Sequence, residues 1–126
     1  MYDMSSNQMK VIICGDRNAT ISSCGWKVRD FIYSLPPSAI VIHGGCRGVD
    51  QIAGKYALER GLECEVYDAE WNKYGKVAGP IRNKRMLEQN PTLVVAFHPN
   101  INNSKGSKNM INIASAKGVE TKYIKI

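Results

Sequence analysis

Val41-Ile-His-Gly-Gly-Cys-Arg-Gly-Val-Asp50 reads as an apolar strand that runs into a glycine-rich turn, and the turn opens a helix. Gly44, Gly45 and Gly48 allow close backbone approach and positive φ where it is needed. The helix behind the turn offers free N–H groups and the positive end of its dipole. Such a turn suits an anion, most often phosphate. Arg47 adds a planar, permanently charged fork beside it. A chain that reverses in little space builds the same turn for packing alone, and the motif is neither G-x-G-x-x-G nor a Walker A loop. The choice between these readings rests on whether other loops repeat the design.

Working outward, Met9 to Cys14 and Thr92 to Phe97 are continuous apolar runs, as is Ala39 to His43, and each reads as a buried strand. Leu62 to Tyr67 and Val119 to Ile126 complete five strands. A helix capped by Ser22 or Ser23 carries Trp26, Val28, Phe31, Ile32 and Leu35 and stops at Pro36-Pro37. Val49, Ile52, Ala53, Tyr56 and Ala57 fall at i, i+3, i+4, i+7 and i+8, the stripe of a second helix, and Gly61 is its expected C′ residue. Residues 68–79 read as a long functional loop, followed by a helix with Pro80 at its first position and Asn90-Pro91 at its end. Ser107 opens a last helix closed by Gly118. Strands and helices alternate, so the expected fold is α/β: a Rossmann-like three-layer sandwich, a mostly parallel five-stranded sheet with helices on both faces.

A chain of 126 residues suffices for one domain, expected over residues 9–126 behind a loose tail at 1–8. No apolar run is long enough to span a membrane and the start lacks the apolar stretch of a signal peptide, so a cytosolic location is the default. The net charge of +6 favours anionic partners, although the lysines are scattered one per element, as on a solvated surface. Cys14, Cys24, Cys46 and Cys64 show no C-x-x-C spacing, so neither a metal site nor a disulfide framework is expected. No cofactor is implied.

In an open α/β sheet, ligands bind beyond the carboxyl ends of the strands. The first strand delivers Gly15, Asp16 and Arg17 there, and the second delivers Gly44, Gly45, Arg47, Gly48 and Asp50. The third delivers Glu70, Trp71 and Tyr74, then Arg82 and Asn83 on a helix start, and the fourth delivers Asn102 to Ser107, with Gly106 beside Ser107. Glycines, arginines and carboxylates converging on one edge point to a nucleotide-sized anion. Arg82 near a helix N-terminus opposes the dipole, which itself suggests an anion for it to meet. Each has a duller role beside the functional one: Asp16 and Asp50 as caps or partners of Arg17 and Arg47, Trp71 as a core anchor rather than a base-stacking platform, His43 as a satisfied core histidine, and His98 as incidental rather than a general base.

His43-Gly-Gly-Cys-Arg-Gly-Val-Asp50, Trp71 to Met86 with its Ala-Gly-Pro-Ile-Arg-Asn run, Val94 to Phe97 and Gly106-Ser107 together resemble the YspA-type, cpYpsA-related branch of the SLOG superfamily. That superfamily includes phosphoribohydrolases of the LOG type and the DNA-processing protein Smf/DprA. The resemblance implies a Rossmann-like fold and a nucleotide or nucleotide-derived ligand, held by a sensor or binding domain. LOG-type hydrolases carry Pro-Gly-Gly-x-Gly-Thr and then glutamate; here Ser107 stands for the threonine and Asn109 for the glutamate. An N-glycosidic hydrolase built on this chain would have to rely on Arg82 with Asp16, Asp50 or Glu70. A homodimer is expected by the same resemblance, with nucleic acid a less favoured partner.

Overall fold

A computed structural model describes residues 8–126. The expected tail lies outside these residues except for Gln8, whose Nε2 donates to the Ser38 carbonyl at 2.7 Å. Five strands and five helices follow one another: β1 (Lys10–Gly15), α1 (Trp26–Tyr33), β2 (Ile40–His43), α2 (Val49–Arg60), β3 (Glu63–Val66), α3 (Trp71–Tyr74), α4 (Ala78–Leu87), β4 (Leu93–His98), α5 (Lys105–Ala116) and β5 (Glu120–Lys125). They form one five-stranded sheet in the order β3-β2-β1-β4-β5. Every pairing is parallel, with Ile12 opposite Ile42 on one side and Val94 on the other. The fold is an α/β Rossmann-like sandwich.

Because side chains alternate along a strand, each central strand feeds two cores. Val11, Ile13, Val41, Val95 and Phe97 face α1 and α2, where they meet Val28, Ile32, Ile52 and Ala53. Ile12, Cys14, Ile42, Val94 and Ala96 face α4 and α5, where they meet Met86, Leu87, Met110 and Ala114. Burial on both faces is why these strands are solid apolar runs. Each fully buried Val or Ile contributes about 1.5–3 kcal/mol. The α2 stripe of Val49, Ile52, Ala53, Tyr56 and Ala57 is buried as its spacing predicts. Gly61 ends α2 in the left-handed conformation at φ 79°, which glycine adopts without a Cβ penalty.

Four local readings are corrected. The segment 71–77 is helical, α3 followed by a 3-10 turn, rather than a loop. Consequently α4 starts at Ala78 and Pro80 is its third residue, a position whose N–H has no intrahelical partner in any case. Thr20, not Ser22 or Ser23, caps the turn before α1 and forms a reciprocal pair with Ser23. Ser104, not Ser107, precedes α5, and its Oγ accepts the Ser107 N–H at 3.1 Å. Among the described residues no helix is long and apolar enough to cross a membrane.

Candidate ligand-binding site

The chain leaves the sheet centre in opposite directions from β1 and β4: β1 leads to β2, and β4 leads to β5. A crevice opens between the carboxyl ends of two such strands, which is where open α/β sheets take ligands. A cavity of about 390 Å³ lies there, within the roughly 300–1,000 Å³ of small-molecule sites. Cys14 and Met86 line it from the two layers below. Gly15 to Asn18 of the loop after β1 form one wall, and Ser104 to Ser107 at the start of α5 form another. Arg82 and Asn83 enter from α4, Cys46 and Asp50 from the glycine turn and α2, and His98 and Asn103 from the end of β4.

The glycine turn is tied up internally. Asp50 Oδ2 accepts the N–H groups of Gly44 at 3.1 Å and Cys46 at 3.2 Å. The His43 Nδ1 accepts the Gly45 N–H at 3.0 Å, and the Asp16 carbonyl accepts the Val49 N–H at 3.1 Å. The glycines serve close packing instead. A Cβ on Gly44 would overlap the Arg82 guanidinium, and one on Gly48, at φ 76°, would overlap the backbone of Asp16 and Arg17. Burial first of all, with the nearby Arg82 charge adding to it, pushes the His43 pKa below its ordinary value, so the imidazole stays neutral as a hydrogen-bond acceptor requires.

Arg82 is 7% exposed. Its Nη1 donates to the Gly44 carbonyl at 2.7 Å and its Nε to Asn83 Oδ1 at 3.0 Å. All of these acceptors are neutral, and no carboxylate among the described residues lies within ion-pair distance of the guanidinium. Asn83 Nδ2 in turn donates to the Gly106 carbonyl at 3.1 Å and to Asn109 Oδ1 at 3.0 Å. This chain of contacts fixes Arg82 against the first turn of α5. There the N–H groups of Lys105 and Gly106 have no partner among the described residues, while that of Ser107 is capped. Free helix-start amides beside a buried guanidinium are an arrangement whose electrostatics suit an anion.

Asp50 is the one buried carboxylate among the described residues. Burial pushes its carboxyl up to about 6, against the opposing pull of the Cys46 and Gly44 N–H groups and of Arg82. Cys14 is held inert, its thiol pushed up to about 12 by burial and then by Asp50, because desolvation and a neighbouring anion both disfavour the thiolate. Arg17, Arg82 and Lys105 line the cavity together with Asp16 and Asp50, a net positive lining.

The cavity brings together eight of the residues expected from the sequence: Gly15, Asp16, Arg17, Asp50, Arg82, Asn83, Gly106 and Ser107. Gly44, Gly45 and Gly48 lie behind it as packing residues, and Arg47 is exposed to solvent and does not line it. Glu70 lines a second cavity of about 130 Å³ with Asp68, Tyr74 and Arg85, on the other side of Arg82. Trp71 lines neither cavity and is 52% exposed, so it is not a core anchor; its ring edge lies against Gly79. Asp50 pairs with neither Arg17 nor Arg47 but with the turn's amides. Cys14 and Met86 were not legible as site residues, whereas Ser104 and Lys105 fall within the Asn102 to Ser107 segment expected at this edge. His98 lines the cavity although its sequence context marked it as incidental.

Known proteins share this architecture. A structure of DNA processing protein A (DprA) from Streptococcus pneumoniae aligns over 95% of this chain with a TM-score of 0.75 and 20% identity. The match covers 51% of that protein's chain, so the present chain spans about half its length; at this identity the likeness is one of fold. Gene 61 protein of Mycobacterium phage D29 is 29% identical over 116 residues, covering 87% of this chain and 91% of that protein. The model of the YspA, cpYpsA-related SLOG family matches residues 9–74, just over half of the chain. The chain therefore belongs to the YspA, cpYpsA-related SLOG family.

Proposed function

We propose that this protein binds a nucleotide or nucleotide-derived small molecule in the cavity between β1 and β4. Its phosphate would lie against the first turn of α5, held by the Lys105 and Gly106 amides and by Arg82. The observation that carries this reading is the guanidinium of Arg82, buried without a carboxylate partner and locked through Asn83 onto an uncapped part of a helix start. A buried cation is costly unless a counter-charge meets it. The cavity volume suits a molecule of nucleoside monophosphate size.

Thermal denaturation and calorimetry against nucleoside mono-, di- and cyclic phosphates, ADP-ribose and inorganic phosphate test the reading. A bound ligand raises apparent stability by mass action. We expect stabilisation by at least one phosphate ester, abolished in Arg82→Ala and weakened in Lys105→Glu, whose exposed position leaves folding intact. No stabilisation by any of them would overturn the proposal. Single-stranded DNA belongs in the same panel, given the fold shared with a DNA processing protein; affinity falling steeply with salt would redirect the reading to nucleic acid.

A second reading, hydrolysis of an N-glycosidic bond, is favoured by Asp50, a carboxyl held near neutrality inside the cavity. It predicts release of free base from a nucleoside monophosphate, measured chromatographically. Absence of any free base with a ligand that binds would remove it.

A further inference from the structure

We infer that Asp50 makes the site selective for a phosphate monoester that also carries a free hydroxyl, the chemistry of a phosphorylated sugar. This deepens the reading of the cavity given above and rests on it. Asp50 is 5% exposed and uses one oxygen, Oδ2, for both turn amides. No N–H or O–H among the described residues donates to its other oxygen, Oδ1, and the one further donor beside the carboxylate is the Cys46 thiol, a weak one. Yet every side-chain nitrogen or oxygen that is sealed from solvent in the described residues has a partner. The free oxygen therefore opens onto the cavity that Asp50 lines. By the same reasoning Nη2 of Arg82, which has no partner, also reaches open space.

The two groups ask for different things of one small molecule. Arg82 and the α5 amides call for an anion. Asp50 Oδ1 is an acceptor and repels an anion, so it calls for a donor. An amine or metal cation is disfavoured there, because Arg82 and Lys105 face the same space and no group of three or more metal-ligating side chains occurs among the described residues. A hydroxyl donates without bringing charge. A ligand with an anion at one end and hydroxyls nearby satisfies both groups; inorganic phosphate satisfies one. The carboxyl is flanked by Arg82 from α4, by Cys14 from β1, and by Cys46 and the Gly44 amide from the turn. Held at about 6, it is ionised, and at its best as an acceptor, in neutral solution.

Chemical-shift titrations at pH 7.5 test this with three probes: ribose 5-phosphate, tetrahydrofurfuryl phosphate, which is the same ring without hydroxyls, and inorganic phosphate. A hydrogen bond to a charged acceptor gives about tenfold or more tighter binding of ribose 5-phosphate than of tetrahydrofurfuryl phosphate. In Asp50→Asn, whose amide oxygen still holds both turn amides, that preference falls to about threefold or less while tetrahydrofurfuryl phosphate binds no more weakly. Equal binding of the two esters by the unaltered protein, or an unchanged preference in Asp50→Asn, overturns the inference and leaves the phosphate site standing. Failure of all three probes to bind defeats the phosphate site itself, and the selectivity with it.

Discussion

Arg82 occupies the first half of α4, where a cation opposes the helix dipole. What holds it is Gly44: the absence of a Cβ there lets the guanidinium lie on the turn and donate to its carbonyl. Gly44 is not among the glycines with positive φ, so alanine at this position brings steric displacement without backbone strain. We expect Gly44→Ala to fold, to displace Arg82, and to lose the stabilisation that phosphate esters confer, as read by thermal shift. Asp50 gives a prediction with a definite sign. Its folded pKa lies above the unfolded 3.8, so the folded state favours the protonated form. Its contribution is best below about pH 4 and deteriorates as pH rises to about 6, by about 3 kcal/mol in all. Asp50→Asn removes that dependence. Its stability relative to the unaltered protein should rise between pH 4 and pH 6 and level off above, measured by paired denaturant melts. His43 acts oppositely in both proteins: as its folded pKa is lowered, stability falls as pH drops below 6.5, and the paired comparison cancels it.

At the scale of elements, α5 matters most, because its start supplies the unoccupied amides. Ser104 is the cap that sets where that helix begins. Ser104→Ala should cost about 1 kcal/mol in urea denaturation and should also weaken phosphate binding, since a frayed first turn no longer aims Lys105 and Gly106. The sequence showed some of this and hid the rest for identifiable reasons. The α2 stripe and the strands Val11 to Ile13 and Val94 to Phe97 were legible because burial on a fixed period leaves an unmistakable apolar pattern. The segment 71–77 was not, because Trp71, Tyr74 and Val77 are more than a third exposed and so carry no inward stripe. The glycine turn was read as a phosphate cradle with Arg47, whereas its amides are bonded to Asp50 and His43 and its glycines serve close packing. Which donors it leaves free depends on where the Asp50 and His43 side chains reach, and no spacing rule encodes that. A signal for the α5 start did exist: Ser104 three residues before the N–H it caps, in a polar stretch directly before an apolar period.

At the scale of the molecule, the strand order explains why the site needs both halves of the chain. The family match ends at residue 74, but Arg82, Asn83, His98 and the α5 start all come later. β1 lies between β2 and β4, and Val11, Ile12 and Ile13 are fully buried. A fragment of residues 1–90 would lack β4 and leave one side of β1 unpaired and apolar. We expect that fragment to show no cooperative thermal transition by circular dichroism, whereas the full chain melts as one unit.

The same order has a consequence for synthesis on the ribosome. Val11 must wait for Leu93 before its second ladder can form, so the nascent chain carries an open, sticky β1 until β4 has emerged. Contacts so distant along the chain slow folding. A pause in elongation before residue 93 would therefore prolong exposure to chaperones, whereas a pause after β4 has emerged would not.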